Sequence, residues 1–111
     1  MRKLFLAAVV SAACAGPALA DGPLSGADLQ KMVPGHYHVA VGTLVIDVNL
    51  AKGGKVSGTT NGGDADQGHW HIAGNRMCVK FKKWLDKQEK CEALSMVGNE
   101  IKGSVFSAWR K

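Results

Sequence analysis

From Tyr37 to Trp109, apolar and polar side chains alternate in short runs that are separated by glycine-containing turns. Successive side chains of a β-strand point to opposite faces, so this alternation predicts short strands with one apolar face each. The apolar positions are Tyr37, Val39 and Val41; Leu44, Ile46, Val48 and Leu50; Trp70 and Ile72; Met77, Val79 and Phe81; Leu94 and Met96; and Ile101, Val105 and Trp109. Because these apolar faces must be buried, we predict a mainly β fold: an antiparallel meander of six to seven strands curled into a barrel-like sheet.

The alternation changes phase at Gly42, between Val41 and Leu44. A one-residue slip at a glycine is typical of a β-bulge, which bends a strand and keeps one face dry. We therefore expect a bent strand with its corner at this glycine. Farther along the chain, Gly74-Asn75 predicts a two-residue hairpin turn.

One short helix is predicted before the strands. Ser25 and Asp28 form a capping-box pattern, and Leu29 begins an apolar series at helical spacing that continues at Met32 and Val33. The Pro-Gly pair at residues 34–35 ends the segment. We expect about two turns of helix, with the apolar side packed over one opening of the sheet.

The first 20 residues have the features of an export signal. Arg2 and Lys3 give a basic start, residues 4–15 form an apolar stretch, and small residues precede a cleavage point between Ala20 and Asp21. We therefore expect a protein that is periplasmic or secreted after cleavage. A lipoprotein signal ending at Cys14 is the alternative, and Ser11 disfavours it because a branched apolar residue is preferred there.

The remaining residues, 21–111, are predicted to form a single β-rich domain. No later segment is as apolar as the signal, and the signal itself is shorter than the roughly 20 residues that a membrane-spanning helix needs, so we expect no transmembrane span. Loss of Arg2 and Lys3 lowers the formal charge of the 111-residue chain from +5 to +3.

Without Cys14, the exported chain has two cysteines, Cys78 and Cys91. Two cysteines in an oxidising compartment usually pair, and a bridge over this interval is worth roughly 3 kcal/mol. Their spacing is not that of a redox-active C-x-x-C pair, and no third soft metal ligand stands nearby in sequence. We predict a structural disulfide between neighbouring strands, with the two residues not directly opposite each other.

A sequence pattern spans most of the exported chain. It consists of Gly-x-Trp-x-Ile at residues 68–72, a turn, Cys78, Trp84 and Cys91, preceded by Leu-x-Gly-x-x-Leu at residues 24–29. This pattern resembles that of a family of small exported proteins from rhizobia and related alphaproteobacteria whose function is unknown. The chain departs from the family at Glu92, where an aromatic residue is frequent. The resemblance implies the fold and a periplasmic location, and it assigns no catalytic residue.

The four histidines form two His-x-His pairs, His36 with His38 and His69 with His71. Residues two apart on a strand point the same way, so each pair presents two imidazoles on one face. If the two strands were neighbours, the four rings could bind Zn²⁺, Cu²⁺ or Ni²⁺. Solvated or weakly binding histidines remain the alternative, because both pairs lie on the polar faces of their strands.

Five lysines surround Trp84 in the sequence: Lys80, Lys82, Lys83, Lys87 and Lys90. Such a patch could attract an anionic surface, such as lipid head groups or an acidic polysaccharide. A solvated edge that discourages aggregation is the alternative. We expect no nucleic-acid partner, because the protein is predicted to be exported and has few aromatic residues that could stack on bases.

The sequence contains no catalytic motif of the nucleophile-elbow, metalloprotease or phosphate-loop type, so we predict no enzymatic activity. The Asp-containing segment 61–66 lacks the bidentate glutamate of a calcium loop. The predicted function is a non-enzymatic ligand-binding or cell-envelope interaction module with no resident cofactor. Metal binding through the histidine pairs is the alternative. If the protein carries lipid or another apolar ligand, its structure should contain an open apolar cavity.

Overall fold

The structure is a computed structural model, and it describes residues 20–111. The predicted export signal, including Cys14, lies outside the described residues, apart from Ala20. Within them no helix has the length and apolarity needed to cross a membrane. The elements are β1 (Gly22–Pro23), α1 (Gly26–Lys31), β2 (Gly35–Val41), β3 (Leu44–Ala51), β4 (Lys55–Thr60), β5 (Ala65–Ala73), β6 (Arg76–Phe81), a short left-handed turn (Leu85–Lys87), β7 (Lys90–Ala93), β8 (Ser95–Val97), β9 (Glu100–Lys102) and β10 (Ser107–Arg110).

The strands form one antiparallel sheet in the order β1-β8-β9-β10-β2-β3-β4-β5-β6-β7. Only Leu94 separates β7, which pairs with β6, from β8, which pairs with β9. The chain therefore passes from one edge of the sheet to the opposite edge region within one residue. The sheet is nearly closed into a barrel. The backbone N–H of Leu24 donates to the Leu94 carbonyl at 2.9 Å at this junction. The predicted barrel-like, mainly β fold is confirmed.

The strands number ten, and part of the difference from the prediction arises at Gly42. Instead of a bulge within one bent strand, Gly42 and Thr43 form the turn of a hairpin in which Val41 pairs with Leu44. Gly42 has a φ of +63°, which glycine adopts without steric cost. A two-residue turn places the residues on either side of it opposite each other, so the apolar phase reverses just as it does at a bulge.

Helix α1 closes one end of the barrel, as predicted. The Ser25 hydroxyl accepts from the Asp28 N–H at 3.1 Å, and the Asp28 carboxylate accepts from the Ser25 N–H at 2.9 Å, which completes the capping box. Leu29 is fully buried. The Gly26 N–H donates to Asn75 Oδ1 at 2.8 Å, and this bond ties the start of the helix to the β5–β6 turn. We call this end of the barrel the closed end.

The predicted disulfide between Cys78 and Cys91 is confirmed. The expected offset between the two residues is wrong, because Cys78 on β6 and Cys91 on β7 are direct partners in the antiparallel register. The link formed by residues 82–89 is long enough for β7 to pair with β6 so that Cys91 lies opposite Cys78. The bridge joins two neighbouring strands on the outer face of the sheet, beside the junction at Leu94.

Candidate functional site

The barrel encloses an apolar cavity of about 600 Å³. Its wall consists of the inward-facing residues of the strands, together with side chains from α1 and from the loops: Met32, Tyr37, Val39, Val41, Leu44, Ile46, Val48, Leu50, Val56, Thr60, Asp64, Met77, Val79, Phe81, Trp84, Leu85, Leu94, Ile101, Phe106 and Ala108. The apolar sets predicted on β2, β3 and β6 therefore face the cavity. A volume of this size falls in the range of about 300–1,000 Å³ that is typical of small-molecule sites.

The cavity opens at the end opposite α1, which we call the mouth. All neighbouring strands are antiparallel, so β2, β4, β6 and β9 run in the same direction. All four end at the mouth. The mouth is formed by the turn at residues 42–43 and by the loops 61–64, 82–89 and 103–106. Leu44 and Leu85 line the cavity at this end and remain 41% and 43% exposed, so the cavity is accessible between the loops.

Among the lining residues in the described part of the chain, only Tyr37, Thr60 and Asp64 carry a hydroxyl or carboxyl group. The Tyr37 hydroxyl donates to the Met32 carbonyl at 2.6 Å and accepts from Arg110 Nη1 at 3.2 Å. Burial raises the pKa of Tyr37 above its ordinary value, although Arg110 acts in the opposite direction. At this depth the polar group is engaged with the protein, so the contacts offered to a guest are almost entirely apolar.

Trp84 covers part of the mouth from inside. Its ring packs 5.0 Å from that of Phe81 between centroids. It also lies so close to Gly58 on β4 that a Cβ at that glycine would be 2.7 Å from the indole. The indole N–H donates to Asp64 Oδ2 at 2.9 Å. Glycine at position 58 therefore makes room for an indole that partly fills the cavity.

Asp66 holds the loop that carries Trp84. This carboxylate faces inward from β5, is 8% exposed, and accepts the backbone N–H groups of Lys83 at 2.6 Å and Trp84 at 2.9 Å. Burial raises the pKa of Asp66, but the N–H groups of Trp84, Lys83 and Gln67 lower it by more, so that the pKa lies below its ordinary value. The ionised form is the one that positions this loop over the cavity.

The five lysines predicted to surround Trp84 lie on the protein surface, but Trp84 itself does not. Lys80, Lys82, Lys83, Lys87 and Lys90 are all exposed along β6, the loop 82–89 and β7. Lys83 Nζ lies 3.7 Å from Asp64 Oδ1. Trp84 does not share their solvated surface, because its indole turns into the barrel. The basic residues therefore lie on the outside of one side of the mouth, and the aromatic residue lines the mouth from inside.

The two histidine pairs do not converge. His36 and His38 lie on β2, His69 and His71 lie on β5, and β3 and β4 separate the two strands. With about 4.8 Å between neighbouring strands, the pairs are roughly 14 Å apart, too far to share one ion. His38 Nδ1 instead pairs with Asp47 Oδ1 at 2.9 Å on the neighbouring strand.

One histidine lies beside the disulfide. His71 is the cross-strand partner of Cys78, and its Nε2 lies 3.3 Å from Glu89 Oε2. The ligand atoms of His71, Cys78 and Glu89 lie within 4.8 Å of one another. Because Cys78 is bonded to Cys91, its sulfur is not a thiolate, and the group offers a metal ion one imidazole and one carboxylate in the oxidised protein.

Two of these features were missed from the sequence. Asp66 is in phase with Trp70 and Ile72, so extending the alternation back by four residues from Trp70 places it on the inner face of β5. The glycine and aspartate content of residues 61–68 instead favours a loop when the sequence is read alone. Nothing local pairs Glu89 with His71, since the contact depends on how the loop 82–89 folds back on β5.

Comparison with known proteins adds no assignment: no family model matches the chain, and no curated protein or solved structure is significantly similar to it. The function must therefore be argued from the site itself.

Proposed function

We propose that this protein is a non-enzymatic, exported binding module that holds the apolar part of a small molecule, such as an acyl chain, inside its barrel. The observation that carries the proposal is the cavity of about 600 Å³ with its almost wholly aliphatic and aromatic wall. A filled interior would stabilise so short a chain better than an empty one, because packed side chains gain dispersion contacts that a void lacks. An interior kept open and accessible is the arrangement that ligand-binding barrels use.

The deeper part of the wall supports an apolar guest rather than a charged one. Ile46, Val48 and Val79 supply hydrocarbon surface from three inward-facing positions, and no lysine or arginine lines the cavity within the described residues. A buried charge without a partner would be strongly disfavoured there. The polar end of an amphiphilic guest would therefore lie at the mouth, near the Thr60 hydroxyl.

The test is a titration with cis-parinaric acid, a fatty acid whose fluorescence rises in apolar surroundings. Ile46→Trp fills the cavity and should weaken binding at least about tenfold. Val45→Trp is the matched control, because the adjacent residue on β3 points outward and is 40% exposed. We expect this control to bind as the native protein does.

Val48→Phe gives a milder narrowing of the same wall if Ile46→Trp fails to fold, and circular dichroism checks each variant. Native protein that shows no saturable binding would contradict the proposal. So would equal losses in Ile46→Trp and Val45→Trp, because the guest would then not occupy the interior.

A second candidate is a divalent transition-metal site on the outer face, favoured by the proximity of His71, Cys78 and Glu89. A dithiol reductant would convert the disulfide to two thiols, and Zn²⁺ would bind with release of the thiol protons. Calorimetry with Zn²⁺ on oxidised and reduced protein tests this candidate. Tighter binding after reduction that His71→Ala removes and His69→Ala spares would support it. Binding that is unchanged by reduction and by both substitutions would contradict it.

A further inference from the structure

The loops at the mouth carry exposed aliphatic side chains on three separate segments. Leu44 at the turn 42–43 is 41% exposed, Leu85 in the loop 82–89 is 43% exposed, and Val105 in the loop 103–106 is 71% exposed. Single exposed apolar residues are normal on a protein surface. Here, however, Leu44, Leu85 and Val105 border the opening of an apolar cavity, and we call them the rim. The apolar surface continues from the rim to the interior.

Exposed lysines lie beside the rim. Lys82 and Lys87 flank Leu85 within the same loop, and both are exposed. Within residues 20–111, no ion pair joins either lysine to an acidic group. Two of the acidic groups near the mouth are engaged, Asp64 by Trp84 and Glu89 by His71. Asp86 lies beside the lysines in the same loop, but over residues 80–90 five lysines stand against two acidic residues. This side of the mouth therefore combines exposed aliphatic groups with an excess of positive charge.

We propose that the mouth of the barrel docks on the surface of a bilayer that contains anionic phospholipid. Leu44, Leu85 and Val105 would enter the boundary between head groups and acyl chains, and the lysines would lie against lipid phosphates. The proposal rests on the proposed function, because docking in this orientation gives an apolar guest a path from the membrane to the cavity that avoids water.

Charge selects a lipid surface over a second copy of the chain as the occupant. Two mouths that met at their loops 82–89 would bring lysines against lysines, which is unfavourable. An anionic head-group layer complements both features of the rim, and each lysine near such a surface increases binding by about fivefold at moderate ionic strength. Docking should accordingly weaken as salt concentration rises.

The experiment is co-sedimentation of the disulfide-bonded protein, purified from the exported fraction, with vesicles. One set contains phosphatidylglycerol and phosphatidylcholine, and the other contains phosphatidylcholine alone. The mouth variants are Lys82→Gln/Lys87→Gln and Val105→Ser, none of which alters a cavity-lining residue. The matched controls, remote from the mouth, are Lys52→Gln/Lys55→Gln at the β3–β4 turn and Val97→Ser on β8, where Val97 is 54% exposed.

We expect clear binding to the anionic vesicles, much weaker binding to phosphatidylcholine, and losses of about 25-fold for the lysine pair and about threefold or more for Val105→Ser. The controls should stay within about twofold of the native protein. All variants carry the same N-terminal residues, so their differences report on the substituted sites. The mouth variants should still bind cis-parinaric acid, which separates loss of docking from loss of the cavity.

Several outcomes would overturn the proposal. Native protein that does not sediment with anionic vesicles, or that binds both vesicle types equally, would do so. Control variants that lose as much binding as the mouth variants would place the contact elsewhere. A native dimer that Val105→Ser converts to a monomer, without vesicle binding, would show that a second copy covers the rim. If docking failed and cis-parinaric acid still bound, the proposed function would stand without this inference.

Discussion

At the closed end of the barrel Leu29 is fully buried beneath a capped helix, whereas at the mouth Leu44 and Leu85 border an open cavity and stay more than 40% exposed. Both ends present leucines to the same interior, but only one of them is sealed. At the closed end, apolar area is removed from water by packing against protein. At the mouth, equivalent area is left for something else to cover. Stability and binding are thus assigned to opposite ends of one small sheet.

Two aspartates show the same division on a smaller scale. Asp28 completes the cap of α1 at the closed end, and Asp66 holds the loop that carries Trp84 at the mouth. Asp28 accepts one backbone N–H group and Asp66 accepts two, and each has a pKa below its ordinary value. The first fixes an element that seals the barrel, and the second positions an element that covers part of its opening.

The largest expected contrast is between Leu29→Ala and Leu85→Ala. Removing the buried Leu29 side chain leaves a void under α1 and should lower the free energy of unfolding by about 2–5 kcal/mol. The same truncation at Leu85, which is already 43% exposed, should cost less than about 1 kcal/mol. Urea unfolding followed by circular dichroism measures both. Equal losses would show that the two ends contribute alike to stability and would break the comparison.

The disulfide should have the next largest effect, because it fastens β7 beside the junction at Leu94. Cys78→Ala/Cys91→Ala should lower the free energy of unfolding by about 3 kcal/mol, and reduction of the native protein should reproduce the shift. The released strand would also loosen the wall of the cavity, so weaker binding of cis-parinaric acid is expected. A midpoint of unfolding that a reductant leaves unchanged would contradict this prediction.

The features predictable from the sequence are those that depend on neighbours in the chain. The inward set of β3, the capping box at Ser25, and the pairing of the two cysteines follow from alternation, a three-residue spacing and cysteine count. The hairpin at Gly42 could not be distinguished from a bulge, because both reverse the apolar phase. Direct opposition of Cys78 and Cys91 depends on the conformation of an eight-residue link, which alternation does not describe.

The candidate site was less predictable because it is made of contacts between distant segments. Alternation shows that Val39 and Val79 face inward, but it does not show whether the interior they share is filled or open. The position of Trp84 depends on Asp66, 18 residues earlier, and on the space left by Gly58. The separation of the histidine pairs depends on strand order, which no local pattern contains.

The smallest expected effect is an acid transition confined to the mouth. Because the pKa of Asp66 is lowered by folding, its ionised form stabilises the loop above the ordinary value of 3.8, and this contribution is lost as pH falls through the lower folded value. The emission of Trp84, taken as the difference between the native protein and Trp84→Phe, should therefore shift to longer wavelength below about pH 4. Asp66→Asn should show the shifted emission already at neutral pH and lose the acid step.

Asp28→Asn is the matched control for this experiment, since it removes a carboxylate with a lowered pKa at the opposite end. It should leave the acid step of Trp84 in place and reduce only the stability contributed by the α1 cap. If Asp28→Asn abolished the step, or Asp66→Asn retained it, the emission would be reporting a transition of the whole barrel. The division between a sealed end and an open one would then not extend to their carboxylates.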